Sequence, residues 1–235
     1  MYYPLAVLPL AVLLTVGCST KEAAKIRIDT AQYETDTESV YIERAEVDVR
    51  GNDELSDGIT EKLSEETDGL LSEFDAAAET PGELLAGNKS VFEYRSEVKY
   101  NANNFLSLLC DSYVYTGGAH GESKWSAKNI DLATGEEVRF SGLFADKGWR
   151  QRLDSLITEE TENNPDKYSN LWEKPQIKES NETDFYIEED GLSVFYQPYD
   201  LSYYARGVVT FKFSGDDIYG YLKEEYKRLF ETIEN

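Results

Sequence analysis

The chain has 235 residues with 46 acidic against 23 basic side chains, one histidine, two cysteines and a formal net charge of −23. A field of that sign repels phosphate backbones, and no basic patch interleaved with aromatics overrides it, so nucleic acid is excluded as a partner class. With 40% hydrophobic and 13% aromatic residues there is apolar material for a sizeable core, which excludes disorder throughout.

Residues 1–17 carry no charge and run almost unbroken apolar from Leu5 to Val16, ending Leu14-Thr15-Val16-Gly17-Cys18. The stretch is shorter than the roughly 20 residues a helix needs to span a hydrocarbon core, so it reads as a cleaved export signal. Its end resembles that of bacterial lipoprotein signals, in which a cysteine following a small residue is acylated. Gly17 matches, whereas Thr15 replaces the usual leucine and Met1 to Pro4 lack the usual Lys or Arg. The resemblance implies lipidation of Cys18, with residues 18–25 as a polar tether and the rest of the chain extracytoplasmic in a bacterial envelope, in the periplasm or at the outer surface.

Ile26 to Tyr33 and Val40 to Val49 have strand-like stretches. Leu55, Ile59, Leu63, Leu70, Leu71 and Phe74 then fall at helical spacing behind Asn52 or Asp53 as a cap, and Pro81-Gly82 ends the helix. From Val91 the period becomes two, with Phe92, Tyr94, Val98 and Tyr100 alternating with charged residues. Asn101 to Asn104 turns that strand into a second, Phe105 to Tyr115. There the same period puts Leu106, Leu108, Cys110 and Val114 on one face, so Cys110 reads as a small buried hydrophobe. A third strand, Ser123 to Leu132, follows, and Thr134-Gly135 turns the chain toward 137–140. Trp149, Leu153, Leu156 and Ile157 mark a second helix stopped by Asn163-Asn164-Pro165. Residues 166–182 show no clear period. Strands resume at 184–188, 192–196 and 208–213. Ser214, with Asp217 three residues on, caps a last helix with a buried stripe of Ile218, Tyr221, Leu222, Tyr226, Leu229, Phe230 and Ile233. Hairpin strands with helices at intervals predict an α+β fold, an antiparallel sheet with amphipathic helices packed on one face. It is expected in two structurally linked halves, 26–140 and 141–235.

The single histidine lies in Tyr115-Thr116-Gly117-Gly118-Ala119-His120-Gly121. Together with Asn129-Ile130-Asp131-Leu132, Thr134-Gly135, Leu143-Phe144, Tyr196-Gln197-Pro198-Tyr199-Asp200-Leu201 and Tyr204-Ala205-Arg206-Gly207, this motif resembles a paired domain-of-unknown-function module of bacterial envelope lipoproteins. The module also forms the extracytoplasmic part of the lysozyme-binding sigma-V anti-sigma factor and lies beside the catalytic domain of a peptidoglycan deacetylase. The likeness covers about residues 35–215, with Tyr203 standing where the family usually has proline. It implies an envelope module with a recognition role.

Glycines 117, 118 and 121 allow positive φ and a tight reversal, sufficient reason for their presence. A zinc site needs at least three ligands and a histidine base needs an orienting acid and a nucleophile, so His120 reads as a residue hydrogen-bonding across the turn or to a partner, with no metal and no cofactor. Glu188-Glu189-Asp190 and Asp216-Asp217 lack the spacing of a calcium loop and read as solvated carboxylates at a turn and a helix start. Five aromatics among Phe195-Tyr196-Gln197-Pro198-Tyr199 and Tyr203-Tyr204 exceed what a sheet edge needs. Alternation buries Tyr196 or Phe195, and the aromatics left exposed, with Trp125, suit sugar stacking or a protein hot spot. The ligand-contact candidates are therefore Tyr115, Gly117, Gly118, His120, Gly121, Trp125, Tyr196, Tyr199 and Tyr203. The expected function is non-catalytic binding of a protein or cell-wall ligand, such as a basic hydrolase of lysozyme type. The alternatives are recognition of peptidoglycan carbohydrate and, third, a wall-modifying enzyme.

Overall fold

In the computed structural model, which describes residues 23–80, 88–145 and 148–231, the first two strands form a hairpin, β1 (Lys25–Glu34) and β2 (Glu38–Asp48). They pair antiparallel from Lys25 opposite Asp48 to Glu34 opposite Ser39. Asn52 caps α1 (Asp53–Ala78), its side chain accepting from the Leu55 N–H at 3.1 Å, which satisfies one of the donors that a helix start leaves open. Cys18 and the Pro81-Gly82 stop lie outside the described residues.

After α1, β3 (Ser90–Ala102) pairs with β2 in parallel, from Glu38 opposite Ser90 to Glu43 opposite Arg95. This corrects the expectation of a wholly antiparallel sheet. A helix of 26 residues carries the chain back along β2, so the next strand starts from the same end, and adjacent pairing is then parallel. The hairpin to β4 (Phe105–Tyr115) turns at Asn103 and Asn104, with φ of 49° and 55°, the left-handed pair that a tight I′ turn requires and asparagine tolerates. β5 (Glu122–Asp131) and the two-residue β6 (Glu136–Glu137) complete a six-stranded mixed sheet in the order β1 to β6. On β4 Leu106, Leu108 and Cys110 are buried as expected, and the opposite face is buried too, so Phe105 to Leu109 show no alternation.

Among the described residues the chain packs as two compact units, one of Ala24–Glu97 and Cys110–Lys124, the other of Val98–Leu109 and the chain from Trp125 onward. The units interleave along the sequence, because Val98–Leu109 packs with the C-terminal residues. The first unit's core gathers Val40, Ile42, Phe74, Phe92 and Tyr94 around Cys110, whose thiol lies 3.8 Å from the Ser96 hydroxyl.

In the second unit α2 (Trp149–Asn163) ends where expected, and Pro165, with no N–H to lose, opens a one-turn helix, α3 (Pro165–Tyr168). β7 (Phe185–Glu188), β8 (Gly191–Tyr196) and β9 (Val209–Ser214) form an antiparallel sheet. A Cβ on Gly191 would lie 2.0 Å from the Phe213 carbonyl oxygen, so the strands could not close at that register with any other residue. β8 is buried on both faces: Leu192, Val194 and Tyr196 enter the main core with Phe140, Leu153 and Phe211, while Phe195 packs with Leu109, Ala127 and Tyr186.

The single terminal helix is also corrected. The Ser214–Asp217 capping box is present, but the helix runs only Gly215–Ile218, and a second turn forms at Glu224–Lys227. Between them Tyr219–Tyr221 makes a single 3-10 turn and the chain becomes extended at Leu222, where it bonds with the end of the Phe140–Leu143 turn and the residues after it: Ala145 N–H donates to Tyr221 O and Lys223 N–H to Leu143 O. Gly220, a poor helix residue, sits beside the break. The expected stripe still reaches the core through Ile218, Leu222 and Leu229, while Ile233 lies outside the described residues.

Candidate functional site

The glycine-histidine turn is a local structure. Gly117 and Gly118 adopt φ of 112° and 91°, conformations open to glycine. The Tyr115 phenol, itself buried, donates back to the Gly118 carbonyl at 3.2 Å. Gly121 is present for a different reason from the one expected: a Cβ there would lie 2.5 Å from both the Tyr113 ring and the Val114 carbonyl oxygen. His120 is exposed, and its Nδ1 donates to the carbonyl of Gly121 at 2.8 Å. The motif thus closes β4 onto β5 with its own atoms.

Two of the five aromatics between 195 and 204 are core residues. Tyr196 is fully buried, its hydroxyl donating to Gln176 O at 2.8 Å, and burial pushes the phenol far above its usual range. Phe195 is equally buried, so the expectation that one of the pair would be exposed fails; a strand packed on both faces has no exposed side. Trp125 is half-buried edge-on against Phe195 at 5.7 Å. Its backbone is bridged by the Gln197 amide, which accepts from Trp125 N–H at 3.1 Å and donates to Trp125 O at 2.7 Å. That side chain replaces a strand's hydrogen bonds as the chain leaves β8.

Tyr199 and Tyr203 are different, being 55% and 45% exposed. Gln197-Pro198-Tyr199-Asp200 is a turn closed by Asp200 N–H to Gln197 O at 3.0 Å, with the Asp200 carboxylate accepting from Gln197 N–H at 2.8 Å. At its second inner position Tyr199 has φ +75°, the value of a type II turn, where glycine is the usual residue. A bulky side chain in that conformation is an outlier of the kind that collects at binding sites. Its ring lies against Tyr204 at 5.6 Å.

Sequence reading missed the third member. Trp172 is 62% exposed, and its N–H donates to Leu201 O at 2.9 Å, while the Ser202 hydroxyl donates to Asn170 O at 2.7 Å. These bonds lay 170–172 alongside 201–202, between Tyr199 and Tyr203 in sequence. Three of the four large hydrophobic side chains exposed among the described residues therefore lie on adjoining segments; the fourth, Tyr33, lies in the first unit. The only sequence signal was a tryptophan in a segment without periodicity, where no core pattern claimed it.

Beyond Trp172 the 174–176 segment and α2 border an open depression of about 730 Å³. Arg150, Gln151, Asp154, Ser155, Lys174 and Gln176 line it, and the Asp154 carboxylate accepts from Ile177 N–H at 2.7 Å.

The carboxylate clusters are engaged elsewhere. Lys212 bridges Asp190 at 2.7 Å and Glu188 at 3.3 Å, and Asp217 binds Arg152 at 2.9 Å while capping Ser214. No group of three or more metal-ligating side chains occurs among the described residues. Asn129 of the family-like motif is buried. It accepts from the Ser107 hydroxyl and donates to Phe185 O, each at 2.7 Å, and Ser107 accepts from Ile187 N–H at 3.0 Å. Asp131 accepts from the Arg228 guanidinium at 2.8 Å. Both are structural pins.

Residues 30–123 match the family model described as deacetylase PdaC, and residues 141–215 match the model of a protein of unknown function, DUF3298. Two solved structures share the fold. A DUF3298 family member from Bacteroides fragilis superposes with a TM-score of 0.61 at 17% identity, covering 87% of this chain and 96% of its own. A DUF3298 family protein from Pseudomonas aeruginosa does so with a TM-score of 0.57 at 15% identity, covering 91% and 96%. Comparison with curated proteins gives no match. The tandem is the paired module that the sequence motifs resemble, and neither solved relative carries a stated activity.

Proposed function

We propose that this chain, in which a PdaC-type domain precedes a DUF3298 domain, is a non-catalytic lipoprotein of the bacterial envelope that binds a protein or cell-wall ligand. The observation that carries the reading is the exposure of Trp172, Tyr199 and Tyr203 on adjoining segments, with Tyr199 kept in a backbone conformation that disfavours it. Rigid aromatics give contact area at low entropic cost, and a strained one persists where the surroundings or a ligand favour it. A recognition role accords with the engagement of the motif residues in the fold itself: His120 bonds within its turn, and Asn129 and Asp131 pin strands.

The net charge of −23 favours encounter with a basic protein, and a hydrolase of lysozyme type is one such ligand. The aromatic face favours a second reading, a wall carbohydrate. Calorimetry of the purified chain with a lysozyme-type hydrolase and with soluble peptidoglycan fragments, at low and moderate salt, tests both. Hydrolase binding weakened by salt supports the protein ligand, and fragment binding supports the sugar. No binding of either, or binding unchanged in Trp172→Ala, removes the aromatic face as the site. Palmitate labelling lost in Cys18→Ala is expected for the anchor; labelling that persists rejects it.

A further inference from the structure

The exposed aromatics and the depression are linked through one segment of chain. Trp172, Lys174 and Gln176 follow one another at alternate positions of a single non-helical segment, bent at 172–173, and the last two line the depression. Along that segment the chemistry changes in order. The exposed rings of Trp172, Tyr199 and Tyr203 come first, followed by the Lys174 ammonium, which makes no ion pair or hydrogen bond among the described residues although acidic side chains outnumber basic ones two to one. Last come the amides of Gln176 and Gln151, the Ser155 hydroxyl, which donates to Gln151 O at 2.9 Å, and the Arg150 guanidinium, which donates to Ile177 O at 3.1 Å and lies 3.9 Å from Glu182.

A pyranose ring carries an apolar C–H face and a rim of hydroxyls. It stacks on an aromatic plane and leaves its rim to amides and hydroxyls, the two classes of group found here side by side. A protein partner would be expected to meet an apolar centre enclosed by a rim, whereas this surface is open, polar at one end and aromatic at the other. The cation left over sets the charge of the ligand. Of the charged side chains in the lining, Asp154 accepts from the Ile177 N–H and Arg150 lies 3.9 Å from Glu182, which leaves Lys174 as the lining's cation without an ion pair among the described residues, suited to a carboxylate carried on a sugar chain.

We propose that this surface binds a carboxylate-bearing glycan, with Trp172 and Tyr199 stacking on successive rings and Lys174 pairing with a carboxylate of the chain. The proposal rests on the reading of Trp172, Tyr199 and Tyr203 as a binding face. The probes are peptide-free glycan strands containing muramic acid and chito-oligosaccharides of equal length as the uncharged comparator, titrated into the full-length protein by calorimetry. Tighter binding of the muramic-acid strands is expected. Trp172→Ala or Tyr199→Gly should weaken both ligands about five- to 150-fold, the effect of roughly 1–3 kcal/mol expected for one stacked ring. Lys174→Gln should weaken the muramic-acid strands alone, severalfold. Tyr199→Gly keeps the test interpretable, since glycine accepts the turn and the fold survives. Equal affinity for the two sugars, or indifference to Lys174→Gln, overturns the charge assignment and with it the proposal. Failure of both sugars while a lysozyme-type hydrolase still binds in a Trp172-dependent manner overturns the glycan and leaves the binding face standing. Failure of every ligand overturns both.

Discussion

Replacing Tyr199 by alanine and, separately, by glycine isolates the backbone strain that singles out this turn. Both changes remove the phenol and its contact with Tyr204 at 5.6 Å, so that loss, about 0.5–1.5 kcal/mol for an aromatic pair, is common to the two variants. What differs is the backbone. Alanine at φ +75° keeps a left-handed penalty of about 1–2 kcal/mol, whereas glycine has none but gives the unfolded chain about 0.5–1 kcal/mol of extra freedom. Tyr199→Gly should therefore be the more stable of the two by about 0.5–1 kcal/mol, the reverse of the order seen at ordinary positions. For a chain of this size about 1 kcal/mol corresponds to roughly 2–4 °C, so thermal melts followed by circular dichroism resolve the difference, and urea titrations provide a second measure. Relative to the native protein, relief of strain in Tyr199→Gly offsets most of the lost ring contact, placing it within about 1 kcal/mol. Should the alanine variant prove as stable as the glycine variant, Tyr199 does not occupy a left-handed turn position and the argument from strain to binding fails.

Asn129→Leu should lower stability by about 2–4 kcal/mol, because it strands the Phe185 carbonyl and the Ser107 hydroxyl in a buried site; a change below about 1 kcal/mol in urea unfolding would refute the pinning role. In the glycine-histidine turn the costs should separate. Gly121→Ala drives a Cβ against Tyr113 and Val114 and should cost about 1–3 kcal/mol, while His120→Ala, at an exposed position, should stay within about 0.5 kcal/mol. Equal losses would mean that the histidine has a structural share not visible in its contacts. The hydrogen bond from Lys212 holds the Asp190 carboxyl below the usual carboxylate range. A depressed folded value means that this pair stabilises the protein above the unfolded carboxyl value, near pH 4, and is lost as pH falls through the folded one. Lys212→Met should therefore lower stability slightly at pH 7, by less than about 1 kcal/mol for an exposed pair, with the difference from the native protein shrinking as pH falls below about 4. A gap that widened toward low pH would have the wrong sign and would reject the pairing.

Periodic segments were legible in the sequence wherever one face of an element meets water. The caps at Asn52 and Ser214, the Asn103-Asn104 turn and the stop after α2 are local chemistry, and the sequence spacing located them. The failures share one cause. β4 between Phe105 and Leu109, and β8 throughout, are buried without alternation, and a period-two pattern carries no information where both faces are dry. The break at Tyr221–Lys223 is imposed by backbone partners some eighty residues earlier, which a window of helical periodicity does not contain. The parallel β2–β3 pairing follows from the crossover and not from either strand's composition.

The same distinction explains why only part of the candidate site was found. Tyr199 and Tyr203 were chosen because aromatics there exceeded what a strand could bury, a count that needs no tertiary knowledge. Trp172 was missed because its relation to them depends on two backbone-level contacts, Trp172 N–H to Leu201 O and Ser202 Oγ to Asn170 O, across a segment with no regular structure. His120 drew notice for its rarity and Tyr196 for its motif, yet the first bonds to its neighbour's carbonyl and the second is fully buried. Within this family-like motif the polar and glycine positions shape the framework, holding β4 to β5 and β5 to β7. The large side chains that the framework leaves uncovered in the second unit, Trp172, Tyr199 and Tyr203, lie outside the glycine-histidine turn, which is why the proposed binding face is assigned to them and not to that turn.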